Sequence, residues 1–282
     1  MTASIAPDMA KQRPQREFDA ANAEFWNELC CSSFAQQIGI TDHSATSLKK
    51  FDDAYLAFYP YLLEHVELDL MAGMKVLEIG LGWGTLGQKI AEAGAEYVGM
   101  DIAQGPVRMM NHRLQMAGLA GHAVQGSMLR CPMESDSLDF VVSIGCFHHT
   151  GDVQRCMDET HRVLKPGGRA FIMVYNRFSY TQWIKWPGTT FKALLHDAGL
   201  RRNAIETKAS QRKSYDSNLA GEGAPETVFL SIRQLRGMLS RFHSARFTKE
   251  NCTGLPYFLT RERLLPYLGS LAGHDIYIAA QK

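Results

Sequence analysis

The stretch that decides the fold reads KVLEIGLGWGTLGQKIAEAGAEYVGMD and occupies residues 75–101. It begins with a short apolar run that is typical of a buried parallel strand and that breaks into Gly80, Gly82 and Gly84. A helical pattern follows, and a second apolar run then delivers Asp101 about 20 residues after the glycines. A strand, a glycine turn, a helix and a second strand ending in an acid predict a nucleotide-binding βαβ unit.

The glycines fit two kinds of nucleotide. Gly82-x-Gly84-x-x-Gly87 matches the dinucleotide fingerprint. However, Glu78 lies inside the first strand, where its carboxylate would repel a pyrophosphate but suit an ammonium group. The helix N-terminus can meanwhile accept a carboxylate. An amino acid joined to a nucleoside meets both demands, which favours the register Gly80-x-Gly82-x-Gly84, while the dinucleotide remains the alternative.

The composition is that of a globular protein. Of 282 residues, 45% are hydrophobic and 21% are charged, and the formal net charge is only +1. This balance argues against a broad nucleic-acid surface, so no nucleic-acid partner is expected. The six cysteines show no C-x-x-C pair, which favours buried thiols in a reducing compartment and predicts no metal site.

The ends and boundaries of the chain follow from local composition. We expect a disordered tail at residues 1–16, a helical cap at 17–65, a core at 66–177 and 229–282, and an inserted flap at 178–228. No signal peptide and no apolar run of roughly 18 residues are visible, so we expect a cytoplasmic protein without a membrane partner. The oligomeric state stays open.

Strands and helices alternate along the predicted core. Helices are predicted at 106–117, 153–164 and 229–242, with a turn at Lys165-Pro166-Gly167-Gly168. Further strands are predicted at 122–125, 137–144 and 169–175, and two closing strands at 245–251 and 275–280 would pair antiparallel. The alternation predicts an α/β fold whose mostly parallel sheet is covered by helices on both faces.

Four blocks of the chain resemble one family. They are VLEIGLGWG at residues 76–84, Asp101, LDFVVS at 138–143 followed by His148-His149, and RVLKPGG at 162–168. Together they are similar to the class I S-adenosylmethionine-dependent methyltransferases, of the type 11 methyltransferase domain. The resemblance covers residues 75–174 and implies a Rossmann-like sheet of seven strands with the last one antiparallel.

The resemblance also implies S-adenosylmethionine as methyl donor, S-adenosylhomocysteine as product, and a set of contacts. Glu78 and the turn Gly80-Leu81-Gly82-x-Gly84 would hold the methionine moiety, and Asp101 would accept the ribose hydroxyls. Ile102, Ser127 and Met128 would lie at the adenine, and Ser143 and Gly145 would line the sulfonium. Many relatives carry Asp where this chain has Ser127, so the adenine contact would differ here.

The acceptor side is expected at the carboxyl ends of the fourth and fifth strands. His148 and His149 follow the fourth strand and are candidate bases, because imidazole titrates near neutrality. Tyr175 and Arg177 follow the fifth strand, and Arg177 would bind an acidic acceptor. The alternatives are a backbone-satisfied turn for the histidines and a surface ion pair for the arginine. Tyr59, with Tyr55 as an alternative, and Phe147 would complete an aromatic pocket.

These inferences predict methyl transfer to an oxygen, nitrogen or sulfur atom of a small molecule. A thiol or sulfide acceptor is a specific alternative, since such a nucleophile needs little help from a base. A nicotinamide-dependent oxidoreductase and a non-catalytic S-adenosylmethionine sensor are the alternatives from other classes.

Overall fold

The computed structural model describes residues 15–203, 205–252 and 261–282. Seven strands form one sheet in the order β3-β2-β1-β4-β5-β7-β6. They are β1 (Lys75–Ile79), β2 (Glu96–Asp101), β3 (His122–Gln125), β4 (Leu138–Ile144), β5 (Leu164–Tyr175), β6 (Ser244–Glu250) and β7 (Asp275–Gln281). Strands β1 to β5 run parallel, and β7 runs antiparallel to both β5 and β6. The predicted sheet of seven strands, with its last strand antiparallel, is confirmed.

The helices surround this sheet. They are α1 (Gln15–Phe25), α2 (Ser32–Gln37), α3 (Ala45–Phe58), α4 (Thr85–Glu92), α5 (Gln104–Ala117), α6 (Val153–Val163), α7 (Tyr180–Lys185), α8 (Pro187–Asp197), α9 (Ala209–Tyr215), α10 (Ile232–Met238), α11 (Arg261–Leu264) and α12 (Ser270–Ala272). Short 3₁₀ turns cover 26–28, 63–65, 68–70, 128–130 and 147–149, and a π-helical turn covers Leu265–Gly269. Within the described residues, no helix is both long and apolar enough to cross a membrane.

Alternation along the strands divides the core into two layers. On β1, Leu77 and Ile79 join the cluster that packs with α6 and α10, whereas Val76 joins the cluster that packs with α4 and α5. Successive side chains of a strand point to opposite faces, so Glu78 faces the same side as Val76. This places its carboxyl group under the glycine turn and against α4.

The N-terminal helices are anchored to the glycine turn. Trp83 stacks on Phe51 of α3 with ring centroids 4.5 Å apart. Nearby, Arg113 of α5 has a fully buried side chain and forms a two-pronged ion pair with Asp52 of α3, with N–O distances of 2.9 and 2.8 Å. The Thr85 hydroxyl donates to the same carboxylate at 2.6 Å. The cap is therefore joined to the first turn of α4.

Several predicted boundaries differ from the structure. The segment Lys165–Gly168 was expected as a turn before the fifth strand, but β5 already begins at Leu164 and contains this segment as a bulge. The register shifts there because Leu138 pairs with Leu164 and Phe140 pairs with Arg169. Helix α10 is shorter than 229–242, because it begins only after Ser231, whose side chain caps it.

The tail prediction falls mainly outside the described residues. Residues 1–14 are not among them, whereas Gln15 and Arg16 begin α1 instead of belonging to a disordered tail. The division into cap, core and flap stays a prediction, with helices α7 to α9 occupying the segment expected as a flap.

Candidate functional site

A cavity of about 460 Å³ opens at the carboxyl ends of β1, β2, β4 and β5. The glycine turn and the end of β2 form one half of its wall. The other half consists of side chains from the N-terminal helices, from residues 181–216 and from the start of β7. Parallel α/β sheets bind their ligands at this edge, where the strand order reverses. Here the reversal lies between β1 and β4.

The glycine turn needs glycine for both conformation and space. Gly80, Gly82 and Gly84 have φ values of +82°, +49° and +76°, in the left-handed region that other residues avoid. A Cβ on Gly80 would lie 2.6 Å from the Cβ of Cys146. Gly80 and Gly82 line the cavity, whereas Gly84 caps α4 and packs against Arg113 outside it.

Glu78 lies beneath this turn and lines the cavity, with 3% of its surface exposed. The hydroxyl of Tyr97 donates to its Oε2 at 2.6 Å. Burial raises the pKa of Glu78 to about 8, against the lowering effect of the Tyr97 hydrogen bond and with a further rise from Asp101. Glu78 therefore keeps its proton at neutral pH until a cation approaches.

Gly87 belongs to the packing of this acid and not to the cavity wall. A Cβ there would lie 2.3 Å from the Tyr97 hydroxyl and 2.4 Å from Glu78 Oε2. The third glycine of the dinucleotide register thus serves helix–strand packing, and the turn that lines the cavity begins at Gly80. The sequence analysis did not identify Tyr97 as the partner of Glu78. The signal is the pairing of β1 with β2, in which Tyr97 lies opposite Val76, on the same face of the sheet as Glu78.

Asp101 closes the same half of the cavity. Its two oxygens accept the backbone N–H groups of Leu81 and Ala103, each at 2.8 Å, so the carboxyl group fixes the turn. Burial raises its pKa to about 6, although those backbone hydrogen bonds lower it. Ile102, Ser127 and Met128 continue the wall, and their contact with an adenine stays a prediction.

Of the two residues expected to line the sulfonium, one lies at the cavity and the other does not. Gly145 lines the cavity together with Ile144 and Cys146, whereas Ser143 is fully buried behind this wall. Burial raises the pKa of the Cys146 thiol well above its ordinary value. The strand alternation that brings Ile144 to the wall turns Ser143 away from it.

The two candidate histidines differ sharply. His148 is fully buried outside the cavity wall, and both of its ring nitrogens lack a hydrogen-bond partner in the described part of the chain. Burial lowers its pKa well below the ordinary value. His149 lines the cavity, and its Nδ1 donates to the Glu226 carbonyl at 2.7 Å. A carbonyl only accepts, so the neutral ring carries its lone pair on Nε2.

Two of the four candidate acceptor residues reach the cavity. Tyr59 and Tyr175 line it. Phe147 is instead fully buried in the apolar core, and Arg177 points its Nε–H to the Phe229 carbonyl at 2.8 Å. The structure therefore does not bring Phe147, Arg177 or His148 to this wall.

Several cavity residues were not identified from the sequence. Asp216 accepts the Tyr175 hydroxyl at 2.9 Å on Oδ1, and its Oδ2 lies 3.6 Å from His149 Nε2. Asp275, at the start of β7, is 2% exposed and also lines the wall. Cys30 and Cys31 line it with their sulfurs 3.7 Å apart. Asp216, Asp275 and the adjacent pair Cys30-Cys31 lie far apart along the chain, and no local pattern connects them.

In residues 15–203, 205–252 and 261–282, no group of three His, Cys, Asp or Glu side chains is arranged to hold a metal ion.

Known proteins match the central part of the chain. Residues 77–172 match the family described as a methyltransferase domain. The chain is 38% identical over 98 residues to the biotin biosynthesis bifunctional protein BioHC of Cellvibrio japonicus, covering 35% of this chain and 19% of that protein. It is 30% identical over 112 residues to the ubiquinone biosynthesis O-methyltransferase of Pseudomonas aeruginosa, covering 38% of this chain and 47% of that protein. The chain thus spans less than half the length of these relatives.

A solved structure extends the likeness to the fold. The S-adenosylmethionine-dependent methyltransferase of Methanosarcina mazei aligns with a TM-score of 0.54 at 18% identity, covering 79% of this chain and 97% of that one. At this identity the likeness concerns the fold alone. Residues 77–172 are thus similar to a methyltransferase domain, and the sheet order agrees with the fold of that S-adenosylmethionine-dependent methyltransferase.

Proposed function

We propose that the protein transfers a methyl group from S-adenosylmethionine to a small molecule. The observation that carries this proposal is one cavity with two chemically different halves. One half has the glycine turn, Glu78 and Asp101, and the other has His149 and Tyr175. A methyl donor and an acceptor could occupy the two halves side by side, which is the arrangement that an in-line displacement needs.

The residues of the first half suit the methyl donor. Glu78 is a buried acid that keeps its proton until a cation approaches, which fits the ammonium group of a methionine moiety. Asp101 lies at the end of β2, where it would accept the ribose hydroxyls, and Ile102 and Met128 provide apolar surface for a base. The bound donor supplies a methyl group activated by a sulfonium.

The second half supplies a base. His149 Nε2 carries the lone pair of the neutral ring, and the bond from Nδ1 to the Glu226 carbonyl fixes its orientation. This nitrogen can take a proton from an acceptor, while Asp216, 3.6 Å away, would stabilise the resulting imidazolium. The enclosing helices and aromatic side chains would exclude water and favour a small acceptor over a macromolecule.

Calorimetry with S-adenosylhomocysteine tests the donor half. Asp101→Ala should weaken binding by about ten- to a hundredfold, the cost of losing hydrogen bonds to a charged group. Asp69→Ala removes an exposed carboxylate outside the cavity and should leave the affinity unchanged. Because Asp101 also holds the turn, thermal unfolding should show that each variant is folded. Equal affinity of Asp101→Ala and wild type would contradict the ribose contact.

A further inference from the structure

Carboxyl groups are concentrated in the acceptor half of the cavity, which is the half that contains His149 and Tyr175. Asp216 and Asp275 both line it, and Lys185 is the one lysine or arginine among the described lining residues. The Lys185 ammonium lies 3.1 Å from the Ser214 hydroxyl. The site therefore has two carboxyl groups and less positive charge than would neutralise them.

Neither carboxyl group is fully compensated by its neighbours. Burial raises the pKa of Asp216, and His149 and the Tyr175 hydroxyl offset this only in part. Burial raises the pKa of Asp275 to about 7; the Asn251 amide, which donates to Oδ2 at 2.9 Å, lowers it. Asp216 and Glu250 raise it further, while Arg261 lowers it. A bound cation would lower both pKa values and supply the missing charge.

An unpartnered polar group points to a ligand at the same place. The His149 side chain is 5% exposed and its Nε2 has no hydrogen-bond partner within the described chain. The Asp216 side chain is 11% exposed, and its Oδ2 has no partner there either. These atoms are 3.6 Å apart across the wall, too far for a hydrogen bond. Buried polar atoms are normally paired, so these two atoms are free to bind a donor from a ligand in the cavity.

Tyrosine rings surround these carboxyl groups. Tyr55, Tyr59, Tyr175, Tyr215 and Tyr277 all line the cavity. Burial raises the pKa of the Tyr175 hydroxyl well above its ordinary value, so the ring stays neutral. Aromatic faces attract cations, and the attraction is strongest where the contact is desolvated. Rings and carboxylates together are the chemistry that recognises an ammonium group.

We propose that the methyl acceptor is a small amine, bound as its ammonium form between Asp216, Asp275 and the tyrosine rings. This inference rests on the proposed methyl transfer. An anionic acceptor would be repelled by the two carboxylates, and Arg177, the cation expected for it, is directed elsewhere. A neutral alcohol or thiol would leave the carboxyl groups without a counter-charge.

The reaction balances with the groups present. The ammonium R–NH₃⁺ gives one proton to His149 Nε2, which has a lone pair, and becomes the free amine. The nitrogen lone pair then forms the N–CH₃ bond as the S–CH₃ bond breaks, and that bonding pair stays on sulfur. The product R–NH₂CH₃⁺ is again a cation and stays matched to the two carboxylates until it dissociates.

Four ligands with one skeleton test the inference: 2-phenylethylamine, 2-phenylethanol, 2-phenylethanethiol and phenylacetate. Calorimetry measures each against the protein loaded with S-adenosylhomocysteine, and release of S-adenosylhomocysteine measures turnover with S-adenosylmethionine. We expect the amine to bind at least tenfold more tightly than the other three. Equal or tighter binding of the alcohol, thiol or acid overturns the amine inference, whether or not turnover is seen.

Variants connect that preference to the carboxyl groups. Asp216→Asn keeps an acceptor for the Tyr175 hydroxyl, and Asp275→Asn keeps one for the Asn251 amide. Each should reduce amine affinity at least tenfold while S-adenosylhomocysteine binds as before. Asp158→Asn, which removes a surface carboxylate from α6, should change neither. An unchanged preference in both cavity variants overturns the inference, whereas absent binding of S-adenosylhomocysteine to wild type would instead refute the proposed function.

Discussion

Glu78→Gln tests whether the acid beneath the glycine turn is protonated in the empty site. In the unfolded chain this group ionises near 4.5, whereas burial keeps it protonated to about 8 in the folded protein. Between these values the folded state binds one more proton than the unfolded state, so stability must fall as pH rises. Below about pH 4.5 this group causes no loss of stability, and above about pH 8 the loss is complete.

The expected size follows from the two pKa values. They differ by about 3.5 pH units, and each unit corresponds to about 1.4 kcal/mol, so the wild type should lose about 5 kcal/mol of unfolding free energy from this group. Glu78→Gln preserves an acceptor for the Tyr97 hydroxyl but does not titrate. Asp101 titrates in both proteins, and the difference between them therefore isolates Glu78.

Urea unfolding between pH 5 and pH 8 measures this difference. The unfolding free energy of wild type should decline relative to Glu78→Gln by several kcal/mol over that range. Glu64→Gln removes the same charge from an exposed position and should decline in parallel with wild type. Parallel curves for wild type and Glu78→Gln would refute a protonated Glu78. Calorimetry adds a second measurement, since donor binding should release a proton near pH 7 in wild type alone.

Two further substitutions have controls close by. Gly80→Ala places a Cβ 2.6 Å from a neighbouring Cβ, whereas Gly73→Ala at a similar φ of +70° meets nothing within 4 Å. Both substitutions carry about 1–2 kcal/mol of left-handed strain, so only Gly80→Ala should also abolish S-adenosylhomocysteine binding. An equal loss of binding in the two variants would refute the close approach at Gly80. Asp52→Asn leaves the buried Arg113 without its carboxylate and should cost about 3–5 kcal/mol in urea unfolding. Asp53→Asn breaks the exposed ion pair with Lys49 and should cost under about 0.5 kcal/mol of unfolding free energy. Similar losses in Asp52→Asn and Asp53→Asn would show that the buried Arg113–Asp52 pair contributes little to stability.

The glycine turn and its place at the edge of the sheet could be predicted because their signals are local. The alternation of apolar residues with a glycine turn fixes both the strand and its break, and Glu78 and Asp101 lie at the ends of adjacent strands. The bulge at the start of β5 was missed for the opposite reason. Its Lys165-Pro166-Gly167-Gly168 run carries ordinary turn residues, and only pairing with β4 and the chain end keeps it inside the strand.

The acceptor half was harder to predict because its residues meet only in the folded chain. His148 and His149 are adjacent in a single 3₁₀ turn, yet one is buried and the other faces the cavity. Their sequence environment is the same, so the direction of each ring depends on the segment that packs beside them. That segment includes Glu226, whose carbonyl orients His149.

This dependence has a consequence for specificity. Glu78, the glycine turn and Asp101 come from the single stretch at residues 75–101, whereas the residues of the other half come from distant segments. Asp216 comes from the segment after α9, Asp275 from β7 and Tyr59 from the end of α3, and each can change without disturbing the glycine turn. The fold thus separates the residues that would bind the methyl donor from those that would select the acceptor, and the charge of the second set would decide which nucleophile enters.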